Sequence, residues 1–477
     1  MIQISLRMDA IQTQSPTQIK QAEFQLDYIW VALAAALFIG FAIGAHVAAV
    51  IGFDFPLGPA FYSLVQVHGH VQLVAWVGLF IISISLHFIP RLAGVPITHP
   101  EWIVWILWLI ASGLILRSFG QCVMPYVVNG AFFVPVAWMV VASGLLEWIG
   151  ILLYAGLLLS AFRRSEDLSK RPALSQVAPF FLMMLVGWNL YAAINLALLV
   201  QMAVSESLVV MQAWNEFAIQ AFMGLVLMPV AFAFSVRMFP LYLRLRAPEW
   251  PVRRLAYVYG CMFCLQVLPN LPPIASIPSK WPLLLSSIGM IFKGSVILIF
   301  IWKLDLLTRR RQPWTVNRVF HPGPERLRTR PGLPDYGEFG RFERLVYASY
   351  CWLALGATLE MLSGASTIFG FTLTHSSDAG RHVYLLGFIC LLIFGMSVRM
   401  IPGFMQKKRI WSAKLVEATF WLGNAAAIFR IMPLLLPVVV FEAFPAIIVV
   451  SQTLFAISGM VAMTAVLCLT VNLMKTV

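Results

Sequence analysis

Histidines are the residues of this sequence whose type and placement are best suited to chemistry. Of eight histidines, five lie at one end of long apolar stretches or in a loop beside them: His46, His68, His70, His375 and His382. Ionisable side chains are costly at membrane depth, so a group of them at one level indicates a functional site. Imidazole is a common ligand for transition metals, including haem iron and copper. These five histidines are therefore candidate ligands.

A repeated motif relates two of these histidines to each other. Three apolar stretches close on similar six-residue endings, Ser-Leu-His-Phe-Ile-Pro, Ser-Val-Arg-Met-Phe-Pro and Ser-Val-Arg-Met-Ile-Pro, which finish at Pro90, Pro240 and Pro402. Twenty residues before these prolines lie His70, Gln220 and His382. A spacing kept at both ends of a helix indicates an internal repeat. The repeat predicts that His70 and His382 lie at equal depth and face a common interface.

His68 and His70 are two residues apart on one helix, which separates their side chains by about 200° around its axis. They cannot readily bind one metal together. Either each serves a different site, or one is a ligand and the other supports it.

Other charged side chains fall within the apolar stretches. Arg117 and Arg430 are candidates for pairing with the carboxylates of a cofactor, because guanidinium binds carboxylates in bidentate fashion. Reaching towards the membrane interface is the alternative reading of both. Four further groups could relay protons or pair internally: Glu147, Glu360, Glu417 and Lys293.

The composition sets the class of protein. Of the 477 residues, 60% are hydrophobic and 11% are charged, whereas soluble proteins carry roughly 25% charged residues. Apolar stretches of about 20 residues, the length that crosses a bilayer core, recur along the chain. The net charge of +13 does not indicate nucleic-acid binding, because the arginines and lysines lie in short loops where they set topology. We expect an all-α integral membrane protein in contact with lipid.

The apolar stretches predict twelve transmembrane helices. The repeated ending closes the second, sixth and tenth, which gives three pseudo-repeats of four helices at 28–162, 177–303 and 344–477. Residues 1–27 are predicted to form a polar cytoplasmic tail, and the basic segment 304–343 a cytoplasmic linker. Because the positive charge follows the even-numbered helices, both termini are predicted to be cytoplasmic and the five histidines to lie near the outer side.

These features resemble two related groups of membrane proteins. The twelve helices, with histidines at the outer ends of the second and tenth, resemble the catalytic subunit of haem-copper oxidases and nitric oxide reductases. The local motifs are more similar to the NnrS family, which contains haem and copper and is linked to nitric oxide and nitrosative stress. The matching motifs are His68-Gly69-His70, Arg237-Met238-Phe239-Pro240 and the tenth helix that opens on His382.

The sequence also departs from both patterns. NnrS-like chains usually continue the His-x-His motif with a glutamate, whereas Val71 and Gln72 follow here. The sixth helix has no histidine and the seventh no His-His pair. A binuclear centre of the usual oxidase type is therefore not expected.

The NnrS resemblance implies a multi-pass haem protein of the bacterial cytoplasmic membrane that handles nitric oxide or another small gas, or transfers electrons. His70 and His382 are then the leading axial ligands, because the repeat places them at equal depth. His68 and His46 are candidate ligands for a second metal, with copper the first choice. Arg117 and Arg430 would hold the haem propionates.

Two other classes of protein stay open at this point. Internal repeats and charges within the membrane also suit a transporter without a redox cofactor. A non-catalytic assembly or sensor protein could keep the fold without the chemistry. The sequence identifies neither a turnover reaction nor the electron donor.

Overall fold

The computed structural model describes residues 23–165, 171–311, 337–371, 377–436 and 438–477. Within these ranges the regular structure is helical throughout, with no strand. A helix is the form in which a single apolar segment pairs all its own backbone groups in lipid. In chain order the long helices are α1 Leu26–Gly52, α2 Phe61–Ala93, α3 Trp102–Val127, α4 Phe133–Arg164, α5 Pro172–Val204, α6 Gln212–Leu243, α7 Val252–Val267, α8 Trp281–Leu304, α9 Phe342–Phe369, α10 Asp378–Phe404, α11 Ala413–Leu435 and α12 Pro445–Thr476.

In the described part of the chain, eleven of these helices are long and apolar enough to cross a membrane. The prediction of a polytopic helical membrane protein is confirmed. Helix α7 is shorter, with 16 residues, and runs into the 3-10 turn Leu268–Asn270. Pro269 in that turn has no N–H to continue an α-helix. The twelve-span, three-unit division stays a prediction, and residues 1–22 and 312–336 of the predicted tail and linker lie outside the described residues.

The three helices that carry the repeated ending form the centre of the molecule. Among the 18 most apolar consecutive residues of each helix, between 72% and 83% are buried in α2, α6 and α10. In the other eight candidate spans the share is 28–50%. Phe88 of α2 packs edge-to-face on Phe234 of α6, and Trp76 of α2 lies against Phe394 of α10. The outer helices surround this centre, and α12 packs on α1 to close the arrangement.

Each central helix also contains a π-helical stretch, which begins within three residues after His70, Gln220 or His382. These stretches are Val71–Gly78 in α2, Met223–Leu227 in α6 and Val383–Cys390 in α10. A fourth, Ala36–Gly40, lies in α1. π-Helical turns occur frequently at functional sites. Two of the central stretches begin directly after His70 and His382.

The repeated ending contributes packing contacts at the other end of the central helices. Ser85 of α2 shares a hydrogen bond with the hydroxyl of Tyr154 at 2.6 Å. The equivalent Ser235 of α6 accepts one from the hydroxyl of Tyr350 at 2.5 Å. All four side chains are buried. Each serine therefore satisfies a buried tyrosine hydroxyl, which would otherwise be costly to bury.

Candidate functional site

A cavity of about 210 Å³ opens between α1, α2, α5, α6, α10, α11 and α12. His68 and His70 of α2 and His382 of α10 all line it. Small residues also line it, Gly44 on α1, and Gly459 and Ala462 on α12. Three of the predicted ligands therefore share a cavity, on two of the helices that carry the repeated ending.

His68 is held by α1 in one tautomer. Its Nδ1 atom lies 2.8 Å from the carbonyl oxygen of Gly40, the last residue of the π-helical stretch in α1. A carbonyl only accepts hydrogen bonds, so Nδ1 carries the proton and Nε2 keeps its lone pair. His68 also lies within electrostatic range of His382, Arg430 and Asp378. The ring thus has the protonation pattern of a metal-ligating histidine.

His382 has the same arrangement on α10. Its Nδ1 atom lies 2.9 Å from the backbone oxygen of Asp378 and 3.3 Å from that residue's carboxylate. The other ring nitrogen, Nε2, accepts a hydrogen bond from Nε of Arg430 at 3.2 Å. The Arg430 guanidinium also lies over the ring of Phe455, 4.1 Å from its centroid. His382 Nε2 is therefore an acceptor, as a metal ligand must be.

His70 makes different hydrogen bonds from those of His68 and His382. Its Nε2 atom is 2.9 Å from one carboxylate oxygen of Glu147 and 3.1 Å from the other. Its Nδ1 atom is 3.0 Å from the hydroxyl of Tyr191. His70 also lines the cavity, but its Nε2 atom faces a carboxylate, which accepts hydrogen bonds, so that nitrogen carries a proton, whereas Nε2 of His382 is an acceptor. The two-residue step from His68 turns the ring nitrogens of His70 towards α4 and α5, and the axial role predicted for His70 stays a prediction.

Arg117 belongs to the same buried cluster as His70 and not to the cavity. Its Nε donates to the side-chain oxygen of Gln121 at 3.0 Å, and its guanidinium donates to Asn195. The sequence predicts that Arg117 and Arg430 both pair with the carboxylates of a cofactor. Only Arg430 of the two lines the cavity.

Comparison with known proteins bears on the fold. No family model and no curated protein matches the chain. Among solved structures, the chain is similar to one described as the cryo-EM structure of a heme-copper terminal oxidase dimer. The TM-score is 0.64 at 12% identity, over 94% of this chain and 84% of that one. The chain has a haem-copper-oxidase-like fold. At this identity the similarity shows the fold alone, and it confirms the predicted fold class.

A haem-copper-oxidase-like fold raises the question whether these residues suit a haem. Arg381 and Gln72 line the cavity, and each has one side-chain nitrogen, Nε and Nε2 respectively, that is buried without a hydrogen-bond partner. Buried donors are costly unless paired, so an acceptor near these two residues would stabilise them. Haem propionates are such acceptors. With Arg430, these side chains give the cavity cationic and amide donors beside two imidazoles, a set that fits haem.

The structure does not bring the predicted copper ligands together. His46 is exposed on α1, while Gly44, two residues earlier, is the residue that meets His68. His46 therefore points to another side of α1. Within the described ranges, no group of three or more His, Cys, Asp or Glu side chains could hold a metal ion. The expected copper ligands His46 and His68 are not brought together, and His375 lies outside the described residues.

The charged groups within the membrane helices form pairs. Lys293 of α8 lies 2.7 Å from Glu360 of α9, which also accepts hydrogen bonds from Gln266 at 2.7 Å and Tyr384 at 2.9 Å. Glu417 pairs with Arg344 at 2.8 Å, where both side chains are 38% exposed. Of the two readings left open by the sequence, internal pairing describes all of these contacts.

Several residues that line the cavity or hold its histidines were not found by sequence reasoning. Gly44 lines the cavity and Gly40 accepts the hydrogen bond from His68, but a glycine pair in an apolar helix usually means only close packing. Asp378 and Arg381 carry a signal that was available, namely two charges within four residues of a membrane histidine. Gln72 was noted only as a departure from the NnrS motif.

Proposed function

We propose that the protein is a membrane haem protein of NnrS type, with its haem held by His68 and His382. One observation carries this proposal. The imidazoles of His68 and His382 line one cavity. The Nδ1–H of His68 donates a hydrogen bond to the carbonyl of Gly40, and that of His382 donates one to the carbonyl of Asp378. Hydrogen bonds from the nitrogen that does not bind the metal accompany metal-ligating histidines and fix their ring orientation.

The remaining cavity residues have separate roles in this proposal. Arg430, Arg381 and Gln72 supply donors for the propionates, so that no buried donor stays unpaired. The hydrogen bond from Arg430 to His382 Nε2 occupies that nitrogen until a ligand competes for it. Gly44 gives the His68 ring its place against α1. A bound haem with two histidine ligands would supply one-electron redox chemistry.

The proposed role is electron transfer that serves the handling of nitric oxide or its metal-nitrosyl products. The His68-Gly69-His70 motif and the ending of α6 support this narrower assignment through their similarity to the NnrS family. We place the protein in a bacterial cytoplasmic membrane, with both termini on the cytoplasmic side and the haem near the outer leaflet. The distribution of arginine and lysine between helices supports that orientation.

The first experiment is absorption spectroscopy of the purified full-length protein, with pyridine haemochrome analysis and metal quantification. We expect a Soret band that is lost in His68→Ala and in His382→Ala while both variants remain folded by circular dichroism. His70→Ala should keep the band, because His70 is bonded to Glu147 and Tyr191. Loss of the band in His70→Ala alone would show that His70, and not His68, holds the haem.

A transporter is the second candidate, and the buried Lys293–Glu360 pair favours it. Charged pairs inside the membrane commonly mark ion or substrate pathways. A purified, folded preparation that has no haem absorbance and contains no copper would support this alternative. A haem that is present but inert to reductant and to nitric oxide would instead support an assembly or sensor role.

A further inference from the structure

A second cavity, of about 80 Å³, lies at the centre of the molecule among α2, α6 and α10. All of its lining residues are apolar except two serines, Ser235 and Ser397. Phe80, Val230 and Ile389 represent the three helices in its wall, and all three are buried. The three repeated helices therefore leave a space where they meet.

This space offers a water molecule two polar side chains at most. Ser235 accepts a hydrogen bond from Tyr350 at 2.5 Å, and Ser397 donates one to the carbonyl of Ile393 at 2.6 Å, so each serine is already bonded within the protein. A buried water needs two to four polar partners, and apolar cavities without them stay dry. An ion or polar solute would lose its hydration without compensation.

Its size limits the occupant further. An apolar cavity of about 150 Å³ in another protein binds benzene or xenon. A space of about 80 Å³ suits a smaller uncharged molecule, held by dispersion contacts with the walls. Small uncharged gases dissolve in the bilayer around the protein, so they reach such a site without crossing a polar barrier.

The central cavity adjoins the histidine-lined one. Val77 of α2 lines both, so its side chain lies between the two spaces. Leu386 and Cys390 line the histidine side of α10, while Ile389 and Ile393 line the central side. We infer that the central cavity binds a small uncharged diatomic gas and stores it beside the haem site. The gas-binding part stands alone, whereas the relation to haem rests on the proposed function.

Xenon is the probe for this site. Crystals of the full-length protein under xenon pressure should show anomalous density among α2, α6 and α10. Ala231→Leu places three more carbon atoms in the cavity wall and should abolish that density. Ala34→Leu makes the same change on an exposed face of α1 and should leave it unchanged.

The unmodified protein alone can overturn the inference, even if Ala231→Leu fails to fold. The inference is overturned if no xenon binds at this position. It is also overturned if ordered waters or a lipid chain fill the space in the absence of xenon. Haem absorbance is read separately on the same preparation. Xenon binding in a protein without haem would contradict the proposed function but support the gas site. Haem in a protein that binds no xenon would support the proposed function and contradict the gas site.

Discussion

A Cβ atom on Gly44 would lie 2.5 Å from Cε1 of His68. The backbone of α1 therefore contacts the imidazole ring where any side chain would displace it. The carbonyl of Gly40, one helical turn earlier, accepts a hydrogen bond from Nδ1 of the same ring. Two glycines of one helix thus define both the place and the tautomer of a proposed ligand on another.

Gly44→Ala should displace the His68 ring and lower haem content, with a weakened or shifted Soret band in a folded protein. The physical reason is the steric overlap between the new methyl group and the ring. Gly156→Ala is the matched control, because nothing lies within 4 Å of the Cβ that it would add in α4. A normal spectrum in Gly44→Ala would show that His68 has room to move and is not the ligand.

Glu147→Ala should destabilise the protein by about 1–3 kcal/mol, because it removes a buried hydrogen-bond acceptor and leaves Nε2 of His70 unsatisfied. Glu417→Ala should cost less than about 1 kcal/mol, since its partner Arg344 is partly exposed. Thermal unfolding in detergent compares the two. Equal losses in both variants would contradict the assignment of His70 to a buried structural cluster.

Arg430→Gln should lower the haem midpoint potential by roughly 60 mV, which is tenfold in a one-electron equilibrium. Removing a positive charge beside the haem favours its ferric state, so the potential moves downward. Redox titration followed by absorbance measures the shift. Arg237→Gln removes an arginine that does not line the cavity and should leave the potential unchanged. A potential that rises in Arg430→Gln would contradict the proposed location of the haem.

Asp305, just beyond the end of α8, should make stability sensitive to acid. Burial raises its pKa, but hydrogen bonds from Thr308 and from the backbone of Arg311 and Arg310 outweigh that effect and lower the pKa to about 2. A lowered pKa stabilises the folded state above pH about 4, and this contribution, on the order of 2 kcal/mol, is lost as the pH falls towards 2.

The matching measurement is the unfolding temperature in detergent between pH 6 and pH 2.5. Asp305→Asn should be less stable at pH 6 and should lose less on acidification than the unmodified protein. Parallel curves for the two proteins would show that Asp305 does not carry the effect.

The sequence predicts the helices well because membrane helices depend on length and apolarity, which are local properties. It also identifies α2, α6 and α10 as special, and these prove to be the central helices. The choice between His68 and His70 required more. Equal spacing from Pro90 and Pro402 favoured His70, but the ring direction depends on Glu147 of α4, whose position relative to α2 is a tertiary property.

The charged pairs show the same limit. Lys293 and Glu360 were visible as costly residues in apolar stretches, yet their pairing depends on how α8 packs against α9. Tyr384 gave no signal at all, since tyrosine is common in membrane helices. Its hydroxyl becomes significant only because Glu360 accepts its hydrogen bond.

The π-helical stretches of α2 and α10 have a consequence for how these helices tolerate change. A π-helical turn contains one residue more than the α-helix would need, so it sets the rotational phase between the segments before and after it. Deleting one residue from Val71–Gly78 would remove that extra residue and leave the His68 end in its present direction relative to the Pro90 end, whereas a deletion in an α-helical part of α2 would turn it by about 100°. A single-residue deletion is therefore expected to be better tolerated within the π-helical stretch than elsewhere in the same helix.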